Sequence, residues 1–185
     1  AFILPGHFLM ASSTDVSVSP DLINRFDGEV EQVQSILDDT LNNADDGELF
    51  LENTESESLI FDNGKLRSGS YDTSIGFGLR AVSGEAVGYA HSGEMTLAAL
   101  SRASDAVKAV TGGRSGTLAP PPVGTNARYY GPENPLISPG FEAKTVLLAE
   151  IDAYARAMDP AVRQVTVSLS GVHQNVEIIR SGGDN

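Results

Sequence analysis

A turn signal between two β-prone segments constrains the fold more than any other feature of the sequence. Residues 48–53 and 58–61 are short segments rich in residues that favour strands. Asp62-Asn63-Gly64 follows at once, and asparagine and glycine readily accept the left-handed backbone of a tight hairpin turn. The sequence therefore predicts a β-hairpin that returns through Lys65.

Two further hairpins are predicted from alternating patterns. Residues 74–82 alternate, and after a Ser-Gly-Glu turn the chain returns through 86–91. Near the end of the chain, residues 162–169 place apolar side chains on one face and polar side chains on the other. Gly171 is predicted to turn this segment into a last strand over 172–180.

Three segments have the apolar spacing of amphipathic helices. The first lies within 27–43, and the second begins near Thr96, a favourable N-cap residue, and ends at Gly112-Gly113. The third begins at Ser138-Pro139, since proline suits the first turn of a helix, and ends at Asp159-Pro160. Its apolar stripe consists of Leu147, Ile151, Tyr154 and Met158.

Two stretches lack a regular period. Residues 1–20 are predicted to be a flexible leader whose opening is non-native or vector-derived, with Met10 as a candidate for the true start. The Pro/Gly-rich segment 112–139 is predicted to be a long surface connection, because it has few ways of burying a face. With this connection included, residues 21–185 are expected to form one domain.

Hairpins preceded and followed by helices indicate an α+β fold, a mixed α/β layer. We predict an antiparallel-rich sheet built from the hairpins, with the three amphipathic helices packed on it. A parallel, doubly wound sheet is disfavoured, since the strands are paired as hairpins. At 185 residues and 41% hydrophobic composition, the chain is large enough to bury a sizeable core.

Charge limits the classes of partner. The chain has 25 acidic and 12 basic residues, and its formal net charge of −13 disfavours nucleic acid and anionic membrane surfaces as direct partners. No apolar run approaches the roughly 20 residues that cross a bilayer. The absence of cysteine removes disulfides and sulfur-based zinc sites and fits a reducing cytosol. We therefore expect a cytoplasmic protein.

The residue types that usually carry catalysis form no recognisable motif. His7, His91 and His173 stand apart, so no zincin-type metal motif occurs. There is no G-x-S-x-G nucleophile elbow, and the paired carboxylates fall in predicted turns and solvated faces. Gly76-Phe77-Gly78 lies inside a predicted strand, where it indicates close backbone approach or sheet bending rather than a phosphate loop. No catalytic or metal-binding residue is predicted.

One group of residues is a candidate binding site in this acidic chain. Lys65, Arg67, Ser70, Tyr71 and Arg80 lie on consecutive predicted strands and together would form a cationic patch. Such a patch would bind a peptide carboxylate or the acidic surface of a partner through charge-assisted hydrogen bonds. The alternative is that these side chains balance the neighbouring acids.

A long glycine-containing pattern runs through the first two predicted hairpins. Gly-Ser-Tyr at 69–71 is followed at 76–85 by G-x-G-x-R-A-x-S-G-E. With its flanking residues, 57–85, this pattern resembles the amino-terminal domain of the TldD/PmbA family and is closer to the TldD branch. Similarity continues through 96–109 and 163–172, so the resemblance covers most of the chain after the first helix.

The resemblance implies a zinc-dependent peptidase in which two homologous subunits pair around an enclosed chamber. In the family, a His-Glu-x-x-x-His motif binds zinc and activates water. That motif belongs to a carboxy-terminal domain and does not occur in residues 1–185, so that catalytic domain is absent here. The implied role is a non-catalytic amino-terminal part that lines the substrate chamber, with no zinc in this chain and zinc in the full-length enzyme.

The resemblance also implies partners. Peptides or unfolded segments are the expected substrates, and a PmbA-like paralogous subunit or a second copy of the chain is the expected partner in a dimer. Family members have also been called modulators of DNA gyrase, although the acidic surface argues against direct DNA binding. The alternative function is a stand-alone module without enzymatic activity, which recruits an extended peptide or a partner at exposed strand edges.

Overall fold

The computed structural model describes residues 21–112, 117, 131 and 133–181. The predicted leader at 1–20 and most of the predicted connection at 112–139 lie outside these residues. A short 3-10 helix at Leu22–Arg25 comes first. The elements that follow are α1 (Val30–Leu41), β1 (Asp46–Asp62), β2 (Lys65–Ser83), β3 (Ala86–Ser92), α2 (Leu97–Thr111), α3 (Phe141–Met158) and β4 (Thr166–Ile179).

The four described strands form one antiparallel sheet in the order β3-β2-β1-β4. β1 is a central strand, paired with β2 over its whole length and with β4 from Leu49 to Asp62. The helices pack on the face that carries Leu49, Leu59 and Leu79, which we call the covered face. The opposite side is called the uncovered face. The predicted α+β fold with an antiparallel sheet is confirmed.

The hairpin between β1 and β2 is confirmed, and its turn has the expected backbone. Asn63 and Gly64 have φ of 49° and 76°, the left-handed region that asparagine and glycine tolerate best. The strands are longer than the sequence predicts, at 17 and 19 residues. The polar stretch 53–58 remains extended because ladders from β2 and β4 satisfy its backbone on both sides.

The hairpin between β2 and β3 is also confirmed. Gly84 lies in its turn with φ of 59°, and Val82 pairs with Val87 just inside it. β3 ends at Ser92, so it pairs with β2 only from Phe77 onward. The first part of β2 therefore has a ladder on one side only within the described residues.

The predicted third hairpin is wrong. β4 is one continuous strand, and Gly171 pairs with Glu57 of β1 in the middle of the ladder. A Cβ at Gly171 would lie 2.7 Å from Cδ2 of Leu136, so the glycine accommodates a side chain that crosses the strand. The close approach of the Leu136 side chain accounts for a glycine at this position of the strand.

The first core cluster joins α1 and α2 to one end of the covered face. Val33 and Leu37 of α1 pack with Leu100 and Val107 of α2 against the sheet, and all four are fully buried. α2 begins as predicted, because the Thr96 side chain accepts a hydrogen bond from Ala99 N at 3.1 Å. This cluster forms most of the core.

α3 covers the other end of the same face. Leu148 packs there against Leu59 and Phe61, and Lys144 and Asp152 are also buried. The predicted apolar stripe does not face the sheet, and its residues remain exposed. The exposed fractions are 46% for Leu147, 41% for Ile151, 68% for Tyr154 and 66% for Met158. Among the described helices, none is long and apolar enough to span a membrane.

Candidate functional site

The five residues of the predicted cationic patch all lie on β2, but the strand separates them. Lys65 is its first residue, and Arg80 lies fifteen residues further on, which is roughly 50 Å along an extended strand. Tyr71 also points to the opposite face from Lys65, Ser70 and Arg80, because its ladder partner on β1 is odd-numbered and theirs are even-numbered. The structure therefore does not bring the five together in one patch.

Three of the five residues are bonded to acidic neighbours. Arg67 Nε lies 3.3 Å from Asp62 Oδ2, and Arg80 Nη1 lies 3.0 Å from Asp46 Oδ2. Tyr71 Oη donates to Glu55 Oε2 at 2.6 Å. These contacts favour the alternative in which the side chains balance neighbouring acids. A binding role for any of the five stays a prediction.

Arg80 belongs to a four-residue ion-pair cluster at the end of the sheet. Arg180 Nη1 and Nη2 lie 3.1 Å from Asp46 Oδ1 and 3.3 Å from Glu48 Oε2. Burial works to raise the pKa of Asp46, but the hydrogen bonds and charges of Arg80 and Arg180 outweigh it, so the pKa lies below its usual value. The cluster ties the end of β4 to β1 and β2.

A polar band crosses the covered face between the two apolar clusters. Glu55 lies in it and accepts hydrogen bonds from Tyr71 Oη and, at 2.7 Å, from Asn134 Nδ2. The Tyr71 hydrogen bond is the main cause that lowers the pKa of Glu55, and the same bond raises the pKa of Tyr71. His173 pairs with Glu55 across the ladder, and its Nδ1 is buried without a hydrogen bond to the described residues.

A buried ion pair lies beside Glu55. Lys144 Nζ of α3 bonds to Glu57 Oε2 of β1, and their side chains are only 6% and 14% exposed. The same ammonium group donates to the carbonyl oxygen of Leu136 at 2.7 Å. No local sequence pattern points to Glu57, Lys144 and Asn134, because their contacts join residues about 80 positions apart.

The uncovered face carries exposed apolar side chains among polar ones. Direct cross-strand partners share a face, so the registers place exposed apolar side chains from β1, β3 and β4 on this one. These residues are Ile60, Val87, Tyr89, Val172, Val176 and Ile178. Val176 and Ile178 lie two positions apart on this face of β4, and Ile178 pairs with Phe50 of β1. This small apolar group is a candidate contact with another protein or a ligand.

The described residues contain no group of three or more histidine, aspartate or glutamate side chains arranged to hold a metal ion. Glu55 and His173 are direct partners on the covered face, but a zinc site needs at least three protein ligands. The donors among the residues that the structure describes thus do not fit a zinc centre. No catalytic step is assigned to them.

Comparison with protein families gives two matches. The model described as PmbA/TldA metallopeptidase domain 1 matches residues 47–110, which contain β1 to β3 and most of α2. The model described as PmbA/TldA metallopeptidase central domain matches residues 134–185, which contain α3 and β4.

Curated and solved proteins give concordant similarities. The metalloprotease TldD homolog of Haemophilus influenzae is 37% identical over 145 residues, which are 76% of this chain and 30% of that protein. A putative modulator of DNA gyrase from Bacteroides thetaiotaomicron has a similar fold, with a TM-score of 0.57 and 15% identity over 80% of this chain and 36% of its own. TldE from Thermococcus kodakarensis gives a TM-score of 0.51 and 13% identity over 82% and 35%. The chain therefore spans about a third of each of these proteins.

Proposed function

The chain belongs to the PmbA/TldD metallopeptidase family, and from this membership we propose that it is a non-catalytic part of a TldD-type zinc metalloprotease. In this role it lines the chamber that receives peptides or unfolded segments and contacts the paired subunit. The partner is a PmbA-like paralogous subunit or a second copy of the chain. The assembly works in the cytoplasm, which the absence of cysteine supports.

The uncovered face is the single observation that carries this proposal. A sheet with helices on one face normally leaves the other face polar if that face meets only water. Here Val172 and Val176 of β4 and Val87 of β3 are exposed among the polar side chains of the face. An extended peptide or a partner's surface would remove this apolar area from water, which is the main driving force of association.

The non-catalytic part of the proposal rests on the residue types available. The 185 residues hold three histidines and no His-Glu-x-x-x-His motif, so the zinc of the whole enzyme needs ligands from another segment or subunit. The chain corresponds to about a third of the relatives named metalloproteases, which leaves room for such a segment in them. Zinc would supply the activated water there.

Site-specific photo-crosslinking tests the proposed contact surface. Benzoylphenylalanine replaces Val172 on the uncovered face, and in the matched control it replaces Val146, an exposed valine of α3 that lies away from the sheet. The probes are a fluorescein-labelled unstructured peptide and, separately, a PmbA-type paralogue. We expect crosslinks from position 172 with both probes and little from position 146. Equal yields at both positions would overturn the proposed surface.

A stand-alone binding module is the second candidate, and the strand edges favour it. Residues 65–76 of β2 have no second ladder partner among the described residues, so an added strand has free backbone groups to pair with. The two functions differ in their dependence on the paralogue. If the peptide alone crosslinks at position 172 and the paralogue never does, the module is favoured over the metalloprotease part.

A further inference from the structure

Two glycines open a valley in the middle of the uncovered face. Gly76 and Gly78 of β2 are the direct partners of Glu52 and Phe50 on β1. On the other side, Gly78 pairs with His91 of β3. The valley has a volume of about 390 Å³, with backbone as its floor and side chains of β1 and β3 as its walls.

Neither glycine has space for a side chain. A Cβ at Gly76 would lie 2.8 Å from the carbonyl oxygen of Ser92, which belongs to the backbone. A Cβ at Gly78 would lie 2.9 Å from Tyr89 Oη and 3.2 Å from Tyr89 Cε2, so the tyrosine ring lies against the glycine backbone. Ser92 and Tyr89 therefore cover part of the two glycines, and the G-x-G pattern allows this close packing.

One wall of the valley is aromatic. The rings of Tyr89 and His91 are stacked, with centroids 5.8 Å apart and an angle of 30° between their planes. Tyr89 is 63% exposed, although a tyrosine normally buries much of its ring. A ring face that is open to solvent attracts a cation through its quadrupole, and a guanidinium group also stacks on it.

Glu52 is the one acidic side chain that lines the valley. Glu52 contributes a carboxylate, which Thr54 Oγ1 anchors with a hydrogen bond of 2.9 Å to Oε1. Ser92 contributes the carbonyl oxygen near Gly76. Arg80, the nearest arginine along β2 on the same face, is engaged with Asp46 and Glu48 at the end of the sheet. The valley therefore favours a ligand that is a cation and a donor.

We propose that this valley binds the guanidinium group of an arginine side chain in an extended peptide. A guanidinium group is planar, carries five donors and no acceptor, and stacks on aromatic rings. A lysine ammonium lacks the flat face, and a phosphate would be repelled by Glu52. The inference rests on the proposed function, since it names the peptide class that the uncovered face prefers.

Two labelled peptides test the proposal on the full 185-residue chain. The first is fluorescein-Ser-Thr-Val-Arg-Val-Thr-Ser, and the second has citrulline in place of arginine, which keeps the planar shape and removes the charge. Fluorescence anisotropy measures both affinities at low salt. We expect the arginine peptide to bind about fivefold more tightly, as one partly exposed cation–π contact with a nearby carboxylate would give.

Paired variants locate the preference within the chain. Tyr89→Leu and Glu52→Gln should each weaken the arginine peptide about threefold and leave the citrulline peptide unchanged. Phe141→Leu and Glu142→Gln on α3 are the matched controls, because both residues are exposed and lie outside the valley. Circular dichroism checks the fold of each variant, and Glu52→Gln keeps the test valid if Tyr89→Leu does not fold.

Each other outcome has a distinct meaning. Equal affinity for the two peptides would overturn the arginine preference and leave the proposed function intact. Failure of both peptides to bind would overturn both. If Tyr89→Leu instead changes the sedimentation of the chain from dimer to monomer and does not alter peptide affinity, a second copy occupies the valley and the inference is wrong.

Discussion

Tyr71 of β2 donates a hydrogen bond of 2.6 Å to Glu55, which is not its direct partner in the ladder but the residue two positions before that partner. Glu55 also accepts from Asn134, which precedes α3. One carboxylate thereby joins the hairpin to the segment that leads into the third helix. Its protonation state affects how firmly these parts are held together.

Replacing Tyr71 with phenylalanine should raise the pKa of Glu55 towards its ordinary value of 4.5, because the hydrogen bond from Tyr71 is the main cause of the lowered pKa. A carboxyl group with a lowered folded-state pKa stabilises the fold above its unfolded pKa, and this contribution is lost as pH falls through the folded-state pKa. Tyr71→Phe should therefore be less stable than the parent at neutral pH and equal to it in strong acid.

Carbon-detected NMR titration of the glutamate carboxyls measures the pKa, and urea unfolding at several pH values measures the stability difference. Tyr154→Phe is the control, since Tyr154 is an exposed tyrosine on α3. An unchanged Glu55 titration in Tyr71→Phe would contradict the expected role of the hydrogen bond.

Replacing Lys144 with methionine should destabilise the chain by about 3 kcal/mol, because it leaves the carboxylate of Glu57 buried without a counter-charge. The double variant Lys144→Met with Glu57→Leu should recover most of that loss, since a buried ion pair is often replaceable by apolar side chains of similar volume. Urea denaturation of the parent, both single variants and the double variant completes the cycle. Additive effects would mean that the two side chains are not coupled.

Local signals account for the parts of the fold that were predicted from the sequence. Asn63, Gly64 and Gly84 adopt positive φ, and the preference of these residue types for such backbone is local, so both turns were predictable. The Thr96 cap is local as well. The sequence around Gly171 does not show that the Leu136 side chain crosses this glycine. The turn predicted at Gly171 is therefore wrong.

Long-range contacts account for the errors in the helix orientation and in the candidate site. α3 turns Lys144 and Leu148 to the sheet because Lys144 bonds to Glu57 and Leu148 packs against Leu59 of β1. The predicted apolar stripe, which includes Ile151, then faces solvent. The five residues of the predicted cationic patch lie apart because one strand, β2, runs from Lys65 past Arg80. The length of β2 depends on its pairing with β1, and the sequence of β2 alone does not show how far that pairing extends.

Two glycine substitutions should differ in cost although both glycines lie in strands. A Cβ at Gly88 would lie 2.7 Å from the carbonyl oxygen of Val107, which is backbone in a packed helix and cannot move alone. A Cβ at Gly171 meets only the end of the Leu136 side chain. Gly88→Ala should cost about 1–3 kcal/mol and Gly171→Ala less than about 1 kcal/mol in urea unfolding. The reverse order would show that α2 adjusts more easily than Leu136.

The purified chain should bind no stoichiometric zinc. No group of three metal-ligating side chains is present among the residues that the structure describes, and the chain has no cysteine. Inductively coupled plasma mass spectrometry after dialysis against zinc measures the metal content, with carbonic anhydrase as a positive control. About one zinc per chain that survives dialysis against buffer would contradict this expectation.

The exposed stripe of α3 should make the chain self-associate. Ile151 and Tyr154 belong to four large apolar side chains on one side of the helix, and burying them against another molecule removes apolar area from water. Ile151→Glu should lower the weight-average sedimentation coefficient towards that of a monomer. Ser101→Glu, which adds the same charge on an exposed position of α2, is the control and should leave it unchanged. A parent chain that stays a monodisperse monomer at high concentration would show that the stripe does not drive association.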